Sequence, residues 1–182
     1  MSFKFEKMEI KDVIVITPEI HADKRGSLTE VFKLSDFSEN GISNLIFQEN
    51  ETKSKKDVLR GLHYQIKPYD QSKLVRCIRG KIFDVAVDIR KNSDTFGKWV
   101  GIEISSKNKK MVYIPSGFAH GFYTLTDDTV INYKLSFEYF PEAQRHIKWN
   151  DQDLNIKWPE GNKILSEKDK KAKSFKNAEL FD

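Results

Sequence analysis

The stretch IFDVAVDIR, residues 82–90, carries the alternation that decides the fold. Its apolar side chains recur at every second position, as Phe83, Val85, Val87 and Ile89. A period of two is typical of a β-strand with one buried face, because successive side chains point to opposite sides of the sheet. Asp84 and Asp88 fall on the other face, and we expect them to be surface or interface groups rather than a catalytic carboxylate pair.

Similar short apolar stretches recur along the rest of the chain, separated by turn-forming residues. The other strand candidates are residues 13–17, 27–34, 58–65, 73–78, 99–104, 111–115, 121–125 and 130–137. Helical patterns are confined to residues 35–41, where Ser35 would be the N-cap, and to a segment near residue 166. Many short strands with little helix between them predict an all-β sandwich or barrel with a few short helices.

Length and composition predict one domain and exclude several classes of partner. The 182 residues, 38% of them hydrophobic, suffice for a single domain over residues 1–182, with a polar tail from about residue 170. A net charge of +4 is too small to indicate nucleic-acid binding. The single cysteine, Cys77, requires no oxidising compartment, and no apolar run approaches the length of a membrane span. We therefore predict a cytoplasmic protein that binds neither nucleic acid nor membrane.

Two histidines, His63 and His120, have apolar neighbours that make them candidates for chemistry. Taken singly, such a histidine is more often structural than functional. However, Arg60, His63, Gln65 and Lys73 crowd two successive strand candidates. Burying so many polar groups costs several kcal/mol unless a ligand or partner satisfies them, so the group favours a polar pocket.

Residues 115–120, PSGFAH, have the Pro-x-Gly-x-x-His spacing of the second motif of the cupin barrels. A metal-binding cupin also needs a His-x-His pair followed by an acid, and this chain has His63-x-Gln65 instead. A neutral amide is a poor ligand for a transition metal. We therefore predict a cupin-type jelly roll with no metal and no cofactor, whose own side chains do the chemistry.

Histidine, lysine and tyrosine together suit proton abstraction beside a carbonyl group. His63 would remove a C–H proton, Lys73 would stabilise the enolate oxygen, and Tyr133 would return a proton from the opposite face. Core packing remains the simpler interpretation of Tyr133 taken alone. Arg60 and His63 are three positions apart, so both face one pocket only if Gly61 allows a bulge between them.

The motifs resemble those of the dTDP-4-dehydrorhamnose 3,5-epimerase family. The resemblance runs from about residue 13 to residue 169, through DKRGSLTEVF, FQENETKSKKDVLRGLHYQ, QSKLVRCIRGKIFDVAVDIRKNSDTFGKWVGIEIS, IPSGFAHGF, NYK, WNDQDLNIKWP and LSEKD. It implies a metal-free cupin that inverts C3 and C5 of dTDP-4-dehydro-6-deoxy-D-glucose in dTDP-L-rhamnose biosynthesis. It also implies a homodimer in which an N-terminal strand joins the neighbour's sheet.

The resemblance assigns roles to particular residues. His63 would be the base, Asp169 would orient it, and Tyr133 would be the acid. The groups around the ketone and hydroxyls of the sugar would be Lys73, Arg60 and His120. The groups around the thymidine diphosphate would be Arg25, Glu30, Gln48, Asn50 and Lys168, with Tyr139 stacked on the base.

Two alternatives remain open from the sequence. One is another enzyme of the same barrel type, either a C3-only or C5-only epimerase or a 3,4-ketoisomerase acting on a different nucleotide-linked keto sugar. The other is a cupin that binds sugar nucleotides without catalysis.

Overall fold

The computed structural model describes residues 2–43 and 47–182, and two antiparallel sheets dominate it. The six-stranded sheet has the order β1 (Phe3–Lys7), β2 (Ile14–Pro18), β10 (Met111–Ile114), β7 (Lys73–Arg79), β12 (Thr129–Leu135), β5 (Gln48–Ser54). The five-stranded sheet has the order β13 (Gln144–His146), β6 (Leu59–Gln65), β11 (Phe118–Thr124), β8 (Lys81–Asp88), β9 (Trp99–Ser105). A separate hairpin contains β3 (Ile20–Asp23) and β4 (Gly26–Thr29).

The two large sheets pack face to face around a shared apolar core. Val75 and Ile131 of the six-stranded sheet meet Ile82, Ala86 and Phe122 of the five-stranded sheet in one buried cluster. Burial of apolar area contributes about 25 cal/mol per Å², so this interior is the main source of stability. The prediction of an all-β, cupin-type jelly roll is confirmed.

The expected surface position of Asp84 and Asp88 is wrong, because β8 is buried on both faces. The relative exposures of these two residues are 1% and 0%. Val85 and Val87 pack outward, beneath the C-terminal part of the chain, whereas Ile82 and Ala86 face the other sheet. Asp84 and Asp88 alternate in phase with these inward residues. The alternation is that of a β-strand, but its more apolar face is not the one that lies between the sheets.

The C-terminal residues also differ from the predicted polar tail. Ala172 and Phe181 are buried, and Phe181 joins the cluster on the outer face of the five-stranded sheet. Single bridges attach Lys173 to Ile147 and Phe181 to Arg90. The lysines of this segment point outward while its few apolar residues cover the sheet, which a charge count does not detect.

Both predicted helices exist, although each is short. Helix α1 (Leu34–Glu39) has Lys33 rather than Ser35 at its N-cap. Helix α2 (Glu167–Lys170) has Ser166 at its N-cap, whose hydroxyl accepts a hydrogen bond from the backbone N–H of Asp169. Single 3₁₀ turns form at Pro141–Ala143 and Phe175–Asn177. Within the described residues, neither helix is long and apolar enough to cross a lipid bilayer.

Candidate active site

A cavity of about 250 Å³ lies between the two sheets and is lined by side chains from both. Its walls are formed by Asn50, Thr52, Arg60, His63, Gln71, Lys73, His120, Phe122, Tyr133, Leu135, Tyr139 and Gln144. Seven of the twelve residues to which the family resemblance assigns roles are therefore brought together here. They are Asn50, Arg60, His63, Lys73, His120, Tyr133 and Tyr139.

A bulge in β6 allows Arg60 and His63 to face the same cavity. His63 is paired with His120 and Arg60 with Phe122, so three steps along β6 match two steps along β11. Gly61 lies within this irregularity at φ +139, where a Cβ would stand 2.5 Å from Cα of Gly121. Only glycine fits there, and the bulge that the sequence left open is present.

His63 is held by Asp169, which lies in the first turn of α2 next to the N-cap residue Ser166. Nε2 of His63 lies 2.5 Å from Oδ1 of Asp169, whose carboxylate also accepts a hydrogen bond from the Ser166 hydroxyl. Burial would raise the pKa of Asp169, but the nearby imidazoles of His146 and His63, together with the hydroxyl of Ser166, outweigh it and hold the pKa well below its usual range. An ionised carboxylate accepts the proton of Nε2, which leaves Nδ1 of His63 as the basic nitrogen. Burial lowers the pKa of His63, so the imidazole is neutral and able to act as a base.

His146 packs against this pair and was not among the residues singled out from the sequence. Its ring makes an edge contact with that of His63 at a centroid distance of 4.6 Å. Its Nδ1 lies 3.5 Å from Oδ1 of Asp169. His146 is paired with His63 across β13 and β6. A three-residue strand gives too short a pattern to recognise, which is why the sequence did not point to it.

Lys73 enters the cavity from β7 of the opposite sheet. Its Nζ donates to the backbone carbonyl of His63 at 3.3 Å. Burial lowers the pKa of Lys73 to about 8, with an opposing contribution from the Asp84 carboxylate. The amine is thus mostly charged at neutral pH and close to a site where negative charge could develop.

Tyr133 comes from β12, beside Lys73 on the six-stranded sheet. It packs against the edge of the buried core and also lines the cavity. Its ring therefore contributes to core packing and is also placed to contact a ligand, the two roles that the sequence left open. His63 lies on the facing sheet. A ligand in the cavity would have an imidazole on one wall and a phenol on the other.

His120 is anchored by one of the two aspartates that the sequence placed at the surface. Its Nε2 lies 2.8 Å from Oδ2 of Asp84, and both side chains are buried. The carboxylate fixes the orientation of the imidazole in the cavity wall. Asp84 shares its face of β8 with the inward-facing Ala86, and the sequence alone does not show which face of this strand meets the other sheet.

Polar side chains of β5 and the segment after β12 form one end of the site. Gln48 donates to Oδ1 of Asn50 at 2.9 Å and accepts from the backbone N–H of Tyr139 at 2.7 Å. The Tyr139 hydroxyl donates to Oε1 of Gln144 at 2.9 Å. Gln48 is therefore a support of the cavity wall. The Oγ1 of Thr52 in the wall is buried and has no hydrogen-bond partner within residues 2–43 and 47–182.

Besides Gln48, three further predicted substrate-binding residues do not line this cavity. Arg25 lies at the turn of the β3–β4 hairpin, where its side chain is 85% exposed and paired with Asp23. Glu30 follows the same hairpin. Lys168 lies on α2 and lines a different cavity, behind His146.

Comparison with known proteins places this geometry in a family. The sequence profile of dTDP-4-dehydrorhamnose 3,5-epimerase matches residues 7–177. The enzyme of that name from Shigella flexneri is 48% identical over 176 residues, covering 96% of this chain and 97% of its own. The counterpart from Methanothermobacter thermautotrophicus is 45% identical, covering 98% of each chain.

A solved structure agrees with the sequence comparison. The dTDP-6-deoxy-D-glucose-3,5-epimerase of Legionella pneumophila, crystallised with dTDP-4-keto-L-rhamnose, superposes with a TM-score of 0.94 at 42% identity. The match covers 97% of this chain and 94% of the other. The chain belongs to the dTDP-4-dehydrorhamnose 3,5-epimerase family.

Proposed function

We propose that this protein is the enzyme that inverts C3 and C5 of dTDP-4-dehydro-6-deoxy-D-glucose to give dTDP-4-dehydro-L-rhamnose. The observation that carries the proposal is the placement of His63 and Tyr133 on facing walls of one cavity, with Lys73 beside them. Inversion needs a base on one face of a carbon and an acid on the other. Binding alone would not require this pairing.

The first half of each inversion uses His63. Nδ1 takes the proton from a carbon next to the C4 ketone, and the C–H electron pair moves through the new C=C bond to the ketone oxygen. The enolate oxygen is stabilised by the ammonium group of Lys73. Asp169 stabilises the imidazolium that forms, because it accepts the Nε2 proton throughout.

The second half uses Tyr133. Its hydroxyl delivers a proton to the opposite face of the same carbon, the ketone re-forms, and the configuration is inverted. C3 and C5 both adjoin the C4 carbonyl, so the same base and acid can serve each carbon once the ring has turned. Afterwards the imidazolium loses its proton to water and the phenolate regains one, so each cycle introduces a solvent hydrogen.

The nucleotide end of the substrate would lie at Asn50, supported by Gln48, with Tyr139 stacked on the thymine. Tyr139 is 43% exposed, as an aromatic platform for a ligand would be. Base stacking on such a ring contributes about 1–3 kcal/mol.

A homodimer is part of the same proposal, because Arg25 and Glu30 lie away from the cavity of their own chain. Their hairpin carries two exposed apolar side chains, Ile20 at 44% and Leu28 at 62% exposure. If the hairpin reaches a second copy, those side chains are covered and Arg25 meets the diphosphate in the neighbouring cavity. Sedimentation should give twice the chain mass, and Arg25→Ala should raise KM about tenfold with kcat little changed.

A cytoplasmic location also belongs to this proposal, supported by the single buried thiol of Cys77, which needs no oxidising compartment. Fractionation of the source cells tests it, and recovery of the enzyme outside the cytoplasm would contradict it.

The decisive experiment incubates the enzyme with dTDP-4-dehydro-6-deoxy-D-glucose in D₂O and follows the product by NMR. Deuterium at both C3 and C5, and dTDP-L-rhamnose after addition of a reductase and NADPH, is the expected result. Label at one carbon only would reduce the enzyme to a mono-epimerase. A carbonyl that moved to C3 would make it a ketoisomerase, and binding without exchange would leave a non-catalytic cupin.

A further inference from the structure

Three side chains with metal-binding atoms meet at one place, and the base is one of them: His63, His146 and Asp169. Their donor atoms all lie within 4.8 Å of one another. Nε2 of His63 and Nδ1 of His146 both approach Oδ1 of Asp169, at 2.5 Å and 3.5 Å. Nδ1 of His146 is buried and accepts or donates no hydrogen bond within the described part of the chain.

The scaffold fixes all three groups. His63 and His146 stand opposite each other on the paired strands β6 and β13. Asp169 is held at the start of α2 by two hydrogen bonds with Ser166. Side chains fixed in this way lose little further freedom when they bind an ion.

The donor set and its dimensions suit Zn²⁺. This ion takes histidine nitrogen and carboxylate oxygen at about 2.0–2.2 Å, commonly with three protein ligands and one open position. Tetrahedral coordination at those bond lengths separates the ligand atoms by roughly 3.3 Å. The distances from Oδ1 of Asp169 to Nε2 of His63 and to Nδ1 of His146, 2.5 Å and 3.5 Å, lie on either side of that value. Side-chain movements of about 1 Å would therefore complete the shell.

An approach route for the ion also exists. His146 lines a second cavity of about 400 Å³, on the side of α2 and the C-terminal segment. The substrate cavity is lined by His63 but not by His146. An ion can thus reach the trio without passing through the space that the sugar would occupy.

We propose that His63, His146 and Asp169 form an inhibitory Zn²⁺ site. Zn²⁺ takes the lone pair of Nε2 of His63, and the proton that Nε2 carried moves to Nδ1 of the same ring. No proton is lost and no electron is transferred. Nδ1, the nitrogen that would act as the base, now carries a proton, so it cannot accept one from the sugar. The binding step stands by itself, whereas the inhibition rests on the proposed function of His63.

The test compares metal-free wild-type enzyme with His146→Gln and His146→Phe. The Phe variant keeps a ring against His63, so a change seen in both variants does not come from lost packing. His21→Gln is the matched control for zinc binding, because His21 is an exposed histidine paired with Glu19 and is not one of the three proposed ligands. Calorimetric titration with ZnCl₂, without substrate, should show one ion per chain for the wild type and for His21→Gln. Both His146 variants should bind at least about tenfold more weakly.

Two further readouts use the same proteins. Zn²⁺ should raise the melting temperature of the wild type and of His21→Gln but not of the His146 variants. Zn²⁺ at a few times its Kd should abolish most wild-type exchange activity, and EDTA should restore it. Each variant is compared with its own metal-free activity at one substrate concentration, because the diphosphate of the substrate also binds Zn²⁺.

The possible outcomes separate the two proposals. Absence of stoichiometric binding in an active enzyme, or equal binding by the His146 variants, overturns the metal site and leaves the epimerase intact. Stoichiometric binding that depends on His146 but leaves exchange unaffected overturns the inhibition, and the turnover of His63→Ala then decides separately whether His63 is the base.

Discussion

The position of Lys73 predicts a loss of activity as the pH rises through about 8. Burial between the sheets lowers its pKa from 10.5 to about 8, with the Asp84 carboxylate opposing the shift. The protonated amine is the form that stabilises an enolate oxygen, so the rate should follow the protonated fraction. For a pKa near 8, that fraction is about nine tenths at pH 7 and about one tenth at pH 9. We therefore expect kcat/KM to fall about tenfold over this interval.

The assay is kcat/KM against pH, from about 6.5 to 9.5, measured by solvent deuterium uptake into the keto sugar. The control is Lys73→Arg, because a guanidinium stays charged over the whole range. This variant should be slower, since its fork does not match the geometry of an amine, but its profile should lack the decline near pH 8. A flat wild-type profile, or the same decline in Lys73→Arg, would refute the assignment.

The other predictions concern the base and acid, the bulge and the buried dyad. His63→Ala and Tyr133→Phe should each lower turnover by about 10²–10⁴, with dTDP affinity retained in calorimetry; unchanged turnover would end the catalytic assignment. Gly61→Ala should lower the free energy of unfolding, measured in urea, by about 2–5 kcal/mol, because the added Cβ would meet the backbone of Gly121. Gly41→Ala, at a positive φ but with open space around the added Cβ, should lower it by only about 1 kcal/mol. Equal losses would show that the close approach is unimportant. Asp84→Asn should destabilise the fold by about 1–3 kcal/mol, because it weakens a buried bond to an imidazole; a loss under 0.5 kcal/mol, on the order of a surface change, would contradict that account.

The sequence was most informative where strands contain apolar residues at alternate positions. The candidates at 73–78 and 99–104 correspond to β7 and β9 within one residue at each end. By contrast β5, Gln48–Ser54, contains no apolar side chain at all. Because all its residues are polar, a pattern of alternating apolar residues cannot predict this strand. Hydrophobic periodicity therefore missed a strand that supplies Asn50 and Thr52 to the cavity.

The composition of the site could be predicted only through its motifs. PSGFAH and LRGLHYQ pointed to His120, Arg60 and His63, the chemistry of proton transfer suggested Lys73 and Tyr133, and the family resemblance added Asp169. The pairing of Asp84 with His120 could not be derived, because it depends on which face of β8 meets the other sheet. His146 was missed since its strand has three residues and its neighbour across the pair is 83 positions earlier in the chain.

The bond between His63 and Asp169 joins positions 106 residues apart. Chains emerge from the ribosome N-terminus first, so the carboxylate is synthesised long after the imidazole that it serves. A nascent chain that already contains β1 to β12 would possess the imidazole, the phenol and the amine, yet lack the group that sets the tautomer. Chemical competence thus arrives only once α2 has been synthesised, and cleavage of the chain just before α2 would inactivate an otherwise complete barrel.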